Sequence, residues 1–110
     1  MSDVTTAIVN GYEIHQHNAD ALNKIFQNHA HFADHFQLNN REFESNIMNE
    51  VAEIYQKLES NLNKLELTDI NDMLVRVKDT LVPGLELSWI KDKLTKTRQT
   101  LEDQAEIKRL

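Results

Sequence analysis

Three histidines and two phenylalanines crowd residues 29–36, HAHFADHF. All five histidines of the chain, His15, His17, His29, His31 and His35, fall within residues 15–35. Imidazole is a common metal ligand and the side chain that changes charge nearest neutral pH, so the cluster points to metal binding or pH response. Four residues apart on a helix, His31 and His35 share a face and offer two ligands to one ion. Asp34 lies beside them. His15 and His29 are two heptads apart, as are His17 and His31, so each pair repeats one position on a helix. A closed site takes three or four ligands, and one helix supplies only two. Glu42, Glu44, Glu50 and Glu53 are carboxylates from which a second helix could complete it, and nothing in their spacing singles one out. His31 and His35 are therefore the candidate metal ligands, and His15 and His29 the candidate pH-sensitive pair.

Other chemistry is sparsely equipped. There is no cysteine, which excludes thiolate nucleophiles and disulfides. No glycine-rich phosphate loop, G-x-S-x-G elbow or H-E-x-x-H box occurs. Arg41, Arg76, Arg98 and Arg109 are scattered rather than convergent. The chain reads as a non-enzyme with no cofactor and no catalytic residue.

The elements that must carry these residues are helical by composition. The 110 residues hold two glycines and one proline, too few for the turns of a β-rich domain. From Val4 through Ile8, Gly11, His15, Asn18, Leu22, Ile25, His29, Phe32 and Phe36 the apolar and small positions step by three and four, a heptad seam. That seam predicts one long helix over 3–37, against the turn preference of Asn10-Gly11. A second long helix is expected over 40–66, capped by Asn39 with Glu42 three residues on. Phe43, Ile47, Val51, Ile54, Leu58, Leu62 and Leu65 form its stripe. A short helix over 69–81 starts at Thr68 or Asp69 and turns Ile70, Met73, Leu74, Val77 and Leu81 inward. The last, over 84–108, follows Pro83-Gly84 and carries Leu87, Ile90, Leu94, Leu101 and Ala105, with Trp89 closing the core near its start. The fold class expected is all-α, one domain spanning 1–110, an antiparallel bundle of about four helices.

On this seam His29, Phe32 and Phe36 face inward, leaving His31 and His35 outside it. Leu22, Ile25, His29, Phe32, Phe36, Ile47, Val51, Ile54 and Leu58 are the expected core and interface residues.

The formal net charge is −6 and uneven. Residues 1–40 carry −3, residues 41–82 carry −4, and residues 83–110 carry +1. No basic surface dominates, which disfavours nucleic acid as a partner. No stretch approaches a membrane span, and the N-terminus lacks the basic and apolar regions of a secretory signal, so a cytoplasmic protein is expected, with signal-free export compatible. The function these features favour is a non-catalytic helical protein–protein interaction protein: an adaptor, chaperone-like cap, inhibitor or assembly subunit. It would work through apolar helix faces on a homodimer or hetero-complex partner. The alternatives are a metal-binding protein using His31 and His35, or a histidine-dependent pH-responsive bundle.

Overall fold

The computed structural model describes residues 5–60, 64–80, 82 and 84–109, with side chains of Ser60 and of residues 105–109 outside the description. It overturns the all-α expectation. The chain opens with an antiparallel β-hairpin, strands β1 (Thr6–Val9) and β2 (Tyr12–His15), paired Thr6 to His15 and Val9 to Tyr12. The reason is the dipeptide between them. Asn10 and Gly11 both take positive φ, 50° and 88°, as a two-residue I′ turn requires. Alternation does the rest: Val9 and Ile14 are buried on one face while Thr6, Ile8 and Glu13 are exposed on the other.

The single helix over 3–37 is therefore not formed. After β2 comes one 3-10 turn (Gln16–Asn18) and then a ten-residue helix, α1 (Ala19–Asn28). Residues 29–36 are not helical. They run as successive tight turns, with the Phe32, Asp34 and Phe36 amides donating to carbonyls three residues back. No glycine or proline forces this. The turns let Phe32 and Phe36 both enter the core, 3 % and 5 % exposed, and tertiary packing overrides helix propensity.

The second helix, α2 (Arg41–Ser60), is shorter than the 40–66 expected. Its cap is Asn40 rather than Asn39: the Asn40 side-chain oxygen accepts from the Phe43 amide at 3.0 Å. Ile47, Met48, Val51, Ile54 and Leu58 are buried along it. Leu62 lies outside the described residues, and Leu65 is buried in the segment that follows. The third helix, α3 (Leu67–Asp79), begins two residues before the expected boundary, because the Asp69 carboxylate accepts the Glu66 amide at 3.0 Å and fixes the first turn there. Leu81 and Pro83 lie outside the described residues.

The fourth helix, α4 (Ser88–Arg109), starts later than residue 84. Residues 84–86 are engaged elsewhere. Gly84 sits at φ +88°, where a Cβ would stand 2.0 Å from the His35 carbonyl oxygen, and the Glu86 amide donates to the Phe32 carbonyl at 2.8 Å. The connection into α4 is thus clamped onto the 29–36 turns.

α1 and β2 pack along α2, and α3 packs along α4. Ion pairs tie these two halves: Arg76 of α3 binds Glu50 and approaches Glu53 of α2, and Lys93 of α4 binds Glu59. The Cα radius of gyration, 15.5 Å, exceeds the roughly 13 Å of a compact domain of this length. Along α4, Leu87, Ile90 and Leu94 are buried, and further on Leu101 is half-buried. Among the described residues, no helix is long and apolar enough to cross a membrane.

Candidate functional site

The turns at 29–36 separate the histidines from the geometry that would have made them ligands. His31 is 86 % exposed at its side chain, and its Nδ1 lies 2.7 Å from the Asp34 carboxylate. His35 is exposed on the same non-helical stretch, so the two share no α-helical face. Among the described residues no group of three or more histidine, aspartate or glutamate side chains is placed to hold a metal.

His29 has a different setting. Its ring stacks on Trp89, centroids 4.1 Å apart. Phe32 and Tyr55 meet the same indole edge-on, and the indole N–H donates to the Glu86 carbonyl at 2.8 Å. Trp89 is thus the point where the 29–36 turns, α2 and the entry to α4 converge. His15 and His17, near the end of the hairpin, stack on one another with centroids 5.5 Å apart.

A polar ladder on α2 holds the end of the hairpin. Asn18 is fully buried; its amide donates to Asn49 at 3.0 Å and Glu53 at 3.3 Å, and its oxygen accepts from Gln56 at 3.1 Å. Asn49 also accepts the His15 amide at 3.0 Å. Asn49, Glu53 and Gln56 are spaced i, i+4, i+7, one face of α2. The hairpin turn is fastened separately by Arg41, which donates to the Gly11 carbonyl at 2.7 Å and sits 3.6 Å from Glu44. Glu44 is 3 % exposed and accepts the Leu38 amide. Burial raises the Tyr12 hydroxyl above its ordinary pKa, Glu44 pushes the same way, and Arg41 opposes both. A cavity of about 440 Å3 bounded by Tyr12, Asp34, His35, Arg41 and Glu44 lies beside this joint; the buried Glu44 Oε1 there makes no hydrogen bond and has Arg41 3.6 Å away.

The residues expected as core and interface lie inside. Leu22, Ile25, Phe32, Phe36, Ile47, Val51, Ile54 and Leu58 are all buried, at 6 % exposure or less, and His29 is half-buried. The apolar surface left to solvent is elsewhere. Ile8 and Phe43 are exposed at the hairpin and at the first turn of α2. Val75, 57 % exposed, belongs to a larger feature.

That feature is a groove of about 510 Å3 between α3 and α4. Asn71, Leu74, Val75, Val77 and Lys78 line it from α3, and Lys91, Thr95 and Arg98 from α4. Residues 71 and 78 on one helix and 91 and 98 on the other are seven apart, so the groove runs for about two turns, roughly 10 Å. On α3 Ile70, Met73 and Val77 are buried in the core, Leu74 is half-buried and packs against it at the groove's edge, and Val75 is open to solvent. The side chains of Lys78, Lys91 and half-buried Arg98 make no hydrogen bond or ion pair with any described residue, in contrast to those of Arg76 and Lys93. In the sequence this face carries one exposed apolar residue, Val75, beside Leu74, and no second stripe marks it.

The chain is similar to several MATH domain and coiled-coil domain-containing proteins of Arabidopsis thaliana. One is 28 % identical over 102 residues, covering 93 % of this chain and 33 % of the relative. A second is 24 % identical over 98 residues, 89 % of this chain and 35 % of the relative. A third is 23 % identical over 105 residues, 96 % of this chain and 35 % of the relative. The chain therefore spans about a third of the length of these curated relatives. No family model matches the chain, and no solved structure matches it.

Proposed function

We propose that this chain is a non-catalytic helical protein–protein interaction module, an adaptor-like part that docks a helix of a partner protein on its α3–α4 face. The observation that carries this reading is the solvent-open groove between α3 and α4, along which Leu74 and Val75 lie. Apolar side chains along an open groove favour docking of a partner. The likeness to proteins named for a coiled-coil domain supports it, since a coiled coil is a helix-on-helix interface. The part played by the hairpin and the 29–36 turns is then to hold α2 and the start of α4 rigidly, so that the α3–α4 groove is preformed.

Selection from a displayed library of helical peptides tests it. The apolar positions are fixed at i, i+3 and i+7, every other position is randomised without charge bias, and each binder is measured on the wild type and on Val75→Asp. The expected result is a set of binders whose affinity falls at least about tenfold on Val75→Asp, as follows from losing roughly 1.4 kcal/mol of apolar burial and gaining a buried charge. Binders that hold Val75→Asp as tightly as the wild type, or no enrichment at all, would overturn it.

A further inference from the structure

We infer that the partner helix is acidic: the α3–α4 groove is built to take an amphipathic helix with carboxylates flanking its apolar stripe. This rests on the interaction reading above and specifies the chemistry of the partner.

Charge placement specifies the partner. Acids outnumber bases in the whole chain, eighteen to twelve. The groove inverts that balance: its lining holds three cations, Lys78, Lys91 and Arg98, and no aspartate or glutamate. Outside the groove Lys24, Lys57, Lys64 and Lys96 have no carboxylate partner among the described residues either, while three other cations are held by the chain's own carboxylates. Arg76 is held by Glu50 and Glu53, Lys93 by Glu59, and Arg41 lies beside Glu44. Around the groove all three cations lack such partners among the described residues. A carboxylate on an incoming helix supplies the charge-assisted hydrogen bonds that the groove's own lining does not.

The geometry narrows the ligand further. The cations rise from both walls: Lys78 from α3, Lys91 and Arg98 from α4. Lys91 and Arg98 are seven residues apart, two turns, and the apolar floor formed by Leu74 and Val75 lies on the facing helix. An incoming helix with apolar side chains at i, i+3 and i+7 and glutamates on both flanks meets the floor with the first set and the two walls with the second. A basic helix would set like charges against all three cations, and a neutral one would gain no ion pair from them.

The test uses three synthetic helical peptides with the same leucine stripe and with glutamate, glutamine or lysine at the flanking positions. The readout is fluorescence anisotropy on the full chain. The glutamate peptide is expected to bind about tenfold tighter than the glutamine peptide, the scale of three partly screened ion pairs, and the lysine peptide not measurably. The difference should shrink as salt is raised. The triple variant Lys78→Glu/Lys91→Glu/Arg98→Glu should reverse the preference toward the lysine peptide. The milder Lys78→Gln/Lys91→Gln/Arg98→Gln chain should bind the glutamate and glutamine peptides alike, and helical circular dichroism of both variants reports that they fold. Equal binding of the three peptides, all lost on Val75→Asp, would overturn the acidic partner while leaving helix docking standing. Failure of all three peptides to bind would also overturn it. So would concentration-dependent self-association abolished by Val75→Asp, which makes a second copy the occupant, or displacement of the glutamate peptide by phosphatidylserine vesicles, which makes a lipid surface the occupant.

Discussion

Gly11 and Gly84 have the same backbone conformation, φ +88°, and opposite surroundings. Replacing each by alanine separates what a left-handed residue costs from what a close approach costs. At Gly11 nothing lies within 4 Å of the added Cβ, so Gly11→Ala should lose only the conformational preference, about 1–2 kcal/mol. At Gly84 the Cβ would lie 2.0 Å from the His35 carbonyl oxygen, 2.5 Å from its carbon and 3.0 Å from the Phe36 nitrogen. These are backbone atoms and cannot rotate aside, so the 29–36 turns must move away from the entry to α4. The move strains the hydrogen bond from the Glu86 amide to Phe32, about 1 kcal/mol, and loosens Phe32 and Phe36 in the core. Together with the conformational term, Gly84→Ala should cost about 4 kcal/mol, a large share of the stability of a domain this size. Urea unfolding at 25 °C measures both variants. The asparagine pair is the control: Gly11→Asn should be milder than Gly11→Ala, because asparagine tolerates positive φ, whereas Gly84→Asn should remain severe. Equal losses at the two glycines, within about 0.5 kcal/mol, would refute the clamp between the 29–36 turns and α4.

Asn18→Ala leaves Asn49 and Gln56 without their buried partner and should cost about 1–3 kcal/mol in the same assay, with less than additive loss in the Asn18→Ala/Asn49→Ala double variant. The raised pKa of Tyr12 favours its neutral form in the folded state. Its stabilising contribution is therefore present below the ordinary tyrosine pKa of about 10 and lost as pH rises through the higher folded value. Unfolding midpoints should fall across that alkaline window in the wild type and fall less in Tyr12→Phe. Glu86 runs the other way: hydrogen bonds from Ser88 hold its carboxylate below the ordinary value, so its contribution is present above that value and disappears as pH falls through the folded one. Glu86→Gln should flatten that part of the acid limb.

The parts of the fold that could be read from the sequence are those where one period acts alone. On α2 the expected stripe has no competing signal, and Ile47, Val51, Ile54 and Leu58 are buried, whereas Phe43 at its start is exposed in the first turn, before the neighbouring elements cover the helix. At the hairpin two periods coincide. Ala7, Val9, Tyr12 and Ile14 alternate as strands require, while Val4, Ile8, Gly11 and His15 step as a helix would, and the local chemistry of Asn10-Gly11 decides between them. Residues 29–36 carry no local breaker at all. Their turns exist because Phe32, Phe36, Trp89 and Gly84 meet in space, which no window of sequence contains. For the same reason the His31/His35 metal pair is not formed: its shared face depended on a helix that ends at Asn28. The α3–α4 groove depends on pairing two stripes from different helices, Asn71–Lys78 with Lys91–Arg98, and becomes visible only once those helices are packed.

The account turns on whether a partner helix docks between α3 and α4. Two-dimensional amide NMR of the chain during titration with the glutamate peptide measures this directly. The predicted result is saturable shifts concentrated at residues 71–78 and 91–98, absent on Val75→Asp. Shifts centred instead on the hairpin and the first turns of α2, or none at saturating peptide, would contradict it.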